Sequence, residues 1–390
     1  MRKIPSAAHE VPSASALGLD LVEIQESLKH CRGFPLRAYV SPEIFEFELR
    51  AIFEGTWQYF APLSLLAHPG DVVTGIVGTT PVLVTRRADG VLNGFVNACR
   101  HRGYSVARGD ARGCARLVCG YHGWSYRLDG SLAAAPDFED EPNFDARNYG
   151  LIPVSVDVWG PTVFVNTQPD AAPLHECMPE IRRFSQERGF IEDPQHYELV
   201  ELYTKDQAAN WKLWYDNGVE CYHCAVIHPR SFFLAFRTTT AEKQDSRRSG
   251  KVMSSNFEAP PVAANSDRPE ATYCRSLWPF PGGQLVQQDD VMVLGRMIPT
   301  GPESCRFSAH MFAERGADPK RVAYWIDLYK RTYDEDAAAV EIQQRNLRSA
   351  HVPPFRYSSK REAPVMYINQ LIYDAYRASL ESSSTRTEPR

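Results

Sequence analysis

Two pairs of soft metal ligands lie close together in the first half of the chain. Cys99 and His101 form a Cys-x-His pair, and Cys119 and His122 form a Cys-x2-His pair, both beside glycines. Two thiolates and two imidazoles can build a tetrahedral zinc site, but zinc sites favour Cys-x2-4-Cys and His-x3-5-His pairs. One thiolate and one imidazole from each loop suit a [2Fe-2S] cluster in which one iron takes both thiolates and the other takes both histidines. The spacing therefore favours the cluster over zinc.

Two later histidines, His223 and His228, are candidate ligands for a second metal. Five steps of about 100° put them about 140° apart on a regular helix, so the helix has to loosen or end between them. A carboxylate would complete a 2-His-1-carboxylate facial triad, which leaves positions on Fe(II) open for dioxygen. Asp336 lies on the apolar stripe of a long predicted helix, whereas Asp334 and Glu335 lie about 200° and about 100° away around it.

Asp336 is therefore the predicted third ligand of this metal. Two alternatives remain at this point: the histidines are ordinary polar residues at a helix end, and Asp336 pairs with a buried arginine. Cys221 and Cys224 form a Cys-x2-Cys motif in the same segment. A redox dithiol usually opens a helix after a strand, so we predict packing roles for both thiols instead.

The segments around these residues resemble the Rieske oxygenase family. Residues 97–103 are similar to the first cluster loop of the family, and residues 119–130 are similar to the second, although Gly120 stands where many members have proline. The segment of Glu335 and Asp336, followed by Glu341 and Gln344, looks like the one that supplies the third iron ligand. The resemblance extends over about residues 41–347 and implies the catalytic alpha subunit of a Rieske non-haem iron oxygenase.

The resemblance also implies roles for single residues. Cys99, His101, Cys119 and His122 would hold the [2Fe-2S] cluster, and the triad would hold a mononuclear Fe(II). Glu220 maps onto the family's bridging carboxylate, which would hydrogen-bond His223 of its own chain and His122 of the adjacent chain. Asn217 is a further catalytic candidate. A homotrimer is implied, because the cluster of one subunit serves the iron of its neighbour in this family.

The reaction implied by the resemblance uses dioxygen and electrons from an NAD(P)H-dependent reductase or a ferredoxin. It would hydroxylate a small organic substrate, and the abundance of aromatic residues favours an aromatic one. The sequence Glu-Cys-Tyr-His-Cys around His223 is similar to members that oxidise quaternary ammonium compounds, so oxidative demethylation or cleavage of such a substrate is the alternative. A non-catalytic Rieske electron carrier is the alternative of another class.

Composition excludes several other classes of protein. Among 390 residues, 43 Lys and Arg stand against 48 Asp and Glu, and there is no basic block that would attract nucleic acid. There is no long apolar run and no basic-then-apolar leader, so we expect a cytoplasmic protein that binds no membrane. Nine cysteines without an export signal indicate metal ligands or free thiols rather than a disulfide framework.

The pattern of elements predicts an α+β fold, with a small antiparallel β Rieske domain and a helix-on-antiparallel-sheet catalytic domain. We expect an N-terminal arm and helix over residues 1–56, packed on the catalytic domain, a Rieske domain over 57–167 and a catalytic domain over 168–390. The predicted helices cover 41–57, 205–224 and 318–349, and the predicted strands cover 71–77, 81–85, 151–156, 161–166, 289–299 and 305–312. Residues 241–269 are predicted to form a mobile surface loop or an active-site cover, and residues 382–390 a frayed tail.

Overall fold

A computed structural model describes residues 12–236, 245–258, 269–349 and 351–384. These residues form two compact units. One unit contains residues 53–177, and the other contains the described residues before 53 and after 177. The domain boundaries expected at residues 57 and 167 stay predictions.

The described ranges contain both helices and strands, and the chain starts with helices. The α-helices are α1 (Ala14–Leu17), α2 (Leu21–Lys29), α3 (Pro42–Glu48), α4 (Leu174–Cys177), α5 (Pro179–Arg188), α6 (Trp211–Gly218), α7 (Cys224–Ile227), α8 (Phe232–Phe236), α9 (Pro319–Leu347) and α10 (Ala363–Ser384). Short 3-10 turns cover Leu36–Tyr39, Leu63–Leu66 and Ala146–Asn148, and a π turn covers Leu49–Phe53.

The strands fall into three antiparallel sheets. They are β1 (Gln58–Pro62), β2 (Val72–Val77), β3 (Thr80–Arg86), β4 (Leu92–Val96), β5 (Leu117–Val118), β6 (Ser125–Tyr126), β7 (Leu132–Ala134), β8 (Pro153–Trp159), β9 (Thr162–Asn166), β10 (Tyr197–Gln207), β11 (Asp245–Ser249), β12 (Val252–Glu258), β13 (Tyr273–Pro279), β14 (Gly283–Gln288), β15 (Val291–Gly301) and β16 (Ser304–Glu314). Together with the helices they confirm the predicted α+β class.

The first unit contains a six-stranded sheet in the order β1-β9-β8-β4-β3-β2 and a small sheet in the order β5-β6-β7. Valines and other apolar residues of β2, β3, β8 and β9 form one core cluster. A second core cluster packs Leu83 and Phe95 of the large sheet against Cys99, Cys119 and Trp124. The two predicted cluster loops are therefore anchored in a common core, which holds their spacing.

The second unit contains a seven-stranded sheet in the order β10-β16-β15-β14-β13-β12-β11. The long helix α9 was predicted correctly. The side chain of Asp318 caps it by accepting from the amide of Lys320, and Pro319 opens its first turn. Trp325 and Tyr333 are among the buried residues of the predicted apolar stripe. This packing gives Asp336 its inward direction.

Two predictions of local structure are wrong. The helix predicted from residue 205 begins only at Trp211, where the Asn210 side chain caps it, and it ends at Gly218. Residues 205–207 belong instead to β10, because the alternating segment before them pairs with β16. Residues 245–258 form the hairpin of β11 and β12 instead of a loop, since β12 pairs with β13 in the sheet. The rest of the predicted loop lies outside the described residues, apart from residue 269.

Candidate functional site

The two loops that carry the predicted cluster ligands share one backbone conformation. In each loop the cysteine amide donates to the carbonyl five residues later, over 2.8 Å from Cys99 and 2.8 Å from Cys119. The amides of Gly103 and Gly123 donate back to the carbonyls of these cysteines. Both glycines have a positive φ, of 73° and 74°, which most residues with a Cβ adopt only at a cost. The same turn is thus built twice, with the histidine at the second position after cysteine in one loop and at the third in the other.

The structure brings the four predicted ligands together as two pairs. Burial and the neighbouring Cys119 thiol raise the pKa of Cys99, and the rings of His101 and His122 lie 4.6 Å apart. One zinc ion would need all four ligand atoms within about 3 to 4 Å of one another. Among the described residues, no three of these four bring their ligand atoms within 4.8 Å of one another. Separate thiolate and imidazole pairs fit a cluster of two irons better than a single ion.

The imidazole pair also leaves atoms free for a metal. His101 stacks on the buried Trp124 at 5.1 Å, and its Nδ1 is buried without a hydrogen-bond partner in the part of the chain that the structure describes. A buried polar atom without a partner is costly, and ligation would satisfy it. His122 is exposed beside Tyr121, whose ring centroid lies 3.8 Å away. The cysteine end is therefore buried, and the histidine end opens toward the surface.

The second predicted site forms in the segment that follows helix α6. Helix α6 ends at Gly218, His223 lies just before α7 and His228 just after it. A helix end between the two histidines was predicted, and α7 does end there, at Ile227, but the larger break lies earlier, between Gly218 and His223. A Cβ on Gly218 would lie 3.0 Å from the indole of Trp278, so glycine allows this ring to pack against the helix end.

The three predicted ligands of the second metal converge on one point. The Nε2 atoms of His223 and His228 lie 3.1 Å apart, and Asp336 Oδ1 lies 3.4 Å from the first and 2.9 Å from the second. Two ligands at about 2.1 Å from a metal and at right angles to each other are about 3.0 Å apart. The observed separations thus match one face of an octahedron, the arrangement of a facial triad.

Carboxylates behind the histidines fix which ring nitrogens face the metal. Nδ1 of His223 lies 2.6 Å from Oε1 of Glu220, and Nδ1 of His228 lies 2.8 Å from Oε2 of Glu335. When both Nδ1 atoms donate to these acids, the Nε2 lone pairs face each other and Asp336. Three such acceptors are stable together only around a cation, so the donor set fits a metal.

The pKa shifts have the same origin. Burial alone would lower the pKa of His223, but hydrogen bonds to Asp336 and Glu220 outweigh it and raise the pKa to about 11. Burial would raise the pKa of Asp336, and its hydrogen bonds to the two histidines lower it instead. A bound metal would take the place of the protons in these hydrogen bonds, since ligands bind a metal in their deprotonated form.

Family profiles match both halves of this arrangement. The profile described as "Rieske [2Fe-2S] domain" matches residues 56–149, and the profile described as "Ring hydroxylating alpha subunit (catalytic domain)" matches residues 194–378. Together these matches cover more than two thirds of the chain. The chain belongs to the Rieske non-haem iron oxygenases. Membership means that a [2Fe-2S] cluster and a mononuclear iron are its cofactors, as predicted.

Individual relatives of this Rieske oxygenase have names that include their substrates. A carnitine monooxygenase oxygenase subunit of Acinetobacter pittii is 36% identical over 50% of this chain and 52% of its own length, so the chain spans about half the length of this relative. A glycine betaine monooxygenase oxygenase subunit of Chromohalobacter salexigens is 28% identical over 85% of this chain and 83% of its own length. These names do not confirm the aromatic substrate that the sequence favoured.

A solved structure of a quaternary ammonium Rieske monooxygenase, described for carnitine oxidation by gut microbiota and inter-subunit electron transfer, is also similar. It is 25% identical, with a TM-score of 0.81, and the match covers 92% of this chain and 98% of that one. The fold of the Rieske oxygenase is thus present in both units. None of the helices in the described ranges is long and apolar enough to cross a membrane.

The remaining predicted site residues of the Rieske oxygenase lie beside the triad. The amide of Asn217 donates to Asp336 Oδ1 over 2.7 Å, which restrains the carboxylate. Glu220 is buried, and its second oxygen accepts from the backbone amide of Tyr222. Both residues therefore contact a ligand of the metal directly, and their catalytic roles stay predictions.

Sequence reasoning missed Glu335 as a functional residue. Its Oε2 accepts from Nδ1 of His228 and from the hydroxyl of Ser231, so it holds His228 as Glu220 holds His223. The helical wheel placed Glu335 about 100° from Asp336, and this angle was taken to turn it away. A glutamate is long enough to reach around the helix, and its position next to Asp336 was the available signal.

A cavity of about 80 Å³ opens beside the triad. Alternate residues of three strands face it, as expected for one face of a sheet, and residues spaced by three or four on α9 cover it. The sheet contributes Ser255, Phe257, Cys274, Ser276, Trp278, Gln284 and Val286, and α9 contributes Tyr329, Thr332, Tyr333 and Asp336. The thiols of Cys221 and Cys224 also line it.

Proposed function

We propose that this chain is the terminal oxygenase of a Rieske system that oxidises a quaternary ammonium or N-methyl substrate. The observation that carries the proposal is the triad of His223, His228 and Asp336, whose three ligand atoms lie within 3.4 Å of one another at the wall of the cavity. A substrate in the cavity would lie next to the metal. An electron carrier has no use for such a cavity, so the geometry favours an enzyme.

The lining of the cavity suits a cationic, methylated group. Phe232, Phe257 and Trp278 present aromatic rings to it, and a quaternary ammonium binds well against such ring faces. The named relatives act on carnitine and glycine betaine, which carry this group. We therefore prefer a quaternary ammonium substrate to an aromatic one.

Within this proposal the chain has three tasks. His223, His228 and Asp336 hold the iron, while Glu220 and Glu335 accept from the two histidines and keep their Nε2 atoms directed at it. Bound iron supplies the activation of dioxygen, and the cluster supplies electrons received from an NAD(P)H-dependent reductase or a ferredoxin. The aromatic and neutral polar side chains of the cavity bind the substrate and exclude water.

We further propose that Cys99, His101, Cys119 and His122 hold the cluster and that Glu220 links it to the iron across subunits of a homotrimer. The exposed His122 supports this, because an outward-facing imidazole can meet a carboxylate of another copy. In the presence of excess Fe(II), Glu220→Gln should keep both metal centres occupied and lower turnover about 100-fold, since the charged acceptor is lost. Normal turnover of this variant with its native reductase would contradict the bridge, as would a monomer by light scattering. A cytoplasmic location remains a prediction.

The test of the proposed function is product analysis. The reconstituted oxygenase, supplied with a surrogate reductase and labelled dioxygen, should convert carnitine, glycine betaine or choline to products of N-methyl oxidation or carbon–nitrogen cleavage. Aromatic acids should show no labelled hydroxyl product. Turnover confined to the aromatic acids would contradict the proposal and favour aromatic ring hydroxylation, the second candidate, for which the same aromatic lining would serve.

A further inference from the structure

Two polar side chains of the cavity have no task in holding the metal. Gln284 on β14 and Ser276 on β13 are both buried, and both face the cavity from the sheet. A buried amide or hydroxyl is costly unless it forms hydrogen bonds. A ligand group in the cavity that accepts hydrogen bonds would meet this requirement for both side chains.

Gln284 is held in one orientation by α9. The hydroxyl of Tyr333 donates to Oε1 of Gln284 over 3.0 Å, which leaves the Nε2 group as a donor. Within the described ranges the hydrogen bond given to the Gln284 side chain is the one from Tyr333, and it uses Oε1 and not the Nε2 group. The amide hydrogens are thus available to an acceptor in the cavity.

Ser276 is prepared in the same way by Trp278. The indole Nε1 of Trp278 donates to Oγ of Ser276 over 3.0 Å, so the serine proton is free to be donated. Ser276 lies two residues from Trp278 on β13, and both side chains face the cavity. The cavity therefore contains two oriented donors on neighbouring strands.

Helix α9 links these donors to the triad. Tyr333, which orients Gln284, precedes the ligand Asp336 by three residues, so the two side chains lie on the same face of the helix and both line the cavity. A ligand that accepts from Gln284 and Ser276 therefore occupies the same cavity that opens at the triad.

We propose that Gln284, oriented by Tyr333, and Ser276, oriented by Trp278, determine specificity by donating hydrogen bonds to an oxygen acceptor of the substrate. The proposal rests on the proposed function and narrows its substrate class. The substrate is a methylated ammonium compound that also carries a carboxylate or hydroxyl oxygen. Neutral donors suffice for a carboxylate because hydrogen bonds to charged groups are the stronger ones.

The experiment is calorimetric binding to the iron-loaded full chain without dioxygen, with glycine betaine, choline and tetramethylammonium as probes. Gln284→Leu should weaken the binding of glycine betaine about tenfold or more and that of choline less. The affinity for tetramethylammonium should stay within about twofold of the wild-type value. Gln284→Glu should weaken the binding of glycine betaine further, because the new carboxylate repels the carboxylate of this probe. It should strengthen the binding of tetramethylammonium, because it attracts the cation. Tyr333→Phe is a milder variant that keeps Gln284 but releases its amide.

The matched control is Gln287→Leu. Gln287 is a buried glutamine of the same strand, but its amide bonds to the backbone of Ile191 and does not line the cavity. Its replacement should lower the melting temperature without changing the ranking of the three probes. Two results would overturn the subsite: the Gln284 and Tyr333 variants lose affinity for all three probes by the same factor, or they lose affinity for none of them. A wild type that binds none of the probes would overturn the proposed substrate class and the subsite with it.

Discussion

The two metal sites of this Rieske oxygenase are built by opposite means. The cluster site uses two loops with the same hydrogen-bonded turn, anchored in one core cluster, and its ligands are close in the sequence. The iron triad joins the two histidines at the ends of α7 to the middle of α9. Its carboxylate Asp336 lies more than 100 residues beyond these histidines in the sequence. The first site depends on local turns, whereas the second depends on tertiary packing.

The two sites also differ in how their histidines are supported. In the triad, Glu220 and Glu335 accept from the Nδ1 atoms of both histidines. In the cluster site, His101 is held by stacking on Trp124, and its Nδ1 has no partner among the described residues. The comparison teaches that carboxylates set ligand orientation in one site and aromatic packing does so in the other.

The largest expected effect comes from reciprocal loss of ligands. Cys119→Ser should bleach the visible cluster and leave the mononuclear iron, whereas His228→Ala should remove that iron and leave the cluster. Turnover should fall to background in both variants, because each lacks one of the two centres. Iron and acid-labile sulfide assays with visible spectra check this. Loss of both centres in His228→Ala would contradict the independence of the two sites.

Glu335→Gln should weaken iron binding at the triad about tenfold to 100-fold, because the amide accepts less strongly from His228. Competition with a chelator measures the affinity. Glu341→Gln is the matched control, since Glu341 lies on the same helix but accepts from the backbone of Ala208. Equal iron affinity in wild type and Glu335→Gln would contradict the statement that carboxylates set ligand orientation in the triad.

The stability of the unit that contains the residues after 177 should depend on pH through Asp216. Burial raises the pKa of Asp216 to about 7, although Tyr357 and Asn369 donate to it. The folded state then holds more protons than the unfolded state between about pH 4 and pH 7, so the free energy of unfolding falls as pH rises through this range, by about 4 kcal/mol.

Urea unfolding monitored by tryptophan fluorescence across this pH range checks the Asp216 prediction. Asp216→Asn keeps the shape of the side chain and removes its titration, so its stability should change less with pH. A steeper fall in the variant than in the wild type would contradict the assignment to Asp216.

The smallest expected effect is on the cluster potential. The hydroxyl of Tyr126 lies 3.2 Å from Cys99 Sγ, so it can donate to the thiolate. Tyr126→Phe removes about 1 kcal/mol of stabilisation from the reduced cluster and should lower its potential by about 40 mV. Spectroelectrochemical titration measures the shift, and Tyr149→Phe, which removes the hydroxyl of a ring packed edge-on against Trp124, should leave the potential unchanged. A higher potential in Tyr126→Phe would contradict the assignment of the Tyr126 hydroxyl as a hydrogen-bond donor to Cys99.

The sequence predicted what depends on local pattern and missed what depends on contacts between distant segments. The ligand pairs, the cap at Asp318 and the break between His223 and His228 all followed from short-range spacing. The strand at residues 245–249 did not, because pairing with β12 decides it. Helix α10 was also missed. Glu335 was set aside because a helical wheel gives the direction of Cβ and takes no account of the reach of a glutamate.

The central claim is that one chain holds a cluster and a separate mononuclear iron. Metal and acid-labile sulfide analysis of the freshly purified, iron-loaded protein tests it most directly, together with spectra of the dithionite-reduced form. The account predicts about three irons and about two sulfides per chain, with little zinc, and a red-brown protein. About two irons with two sulfides would contradict the triad, and a colourless protein with about one zinc per chain would contradict the cluster.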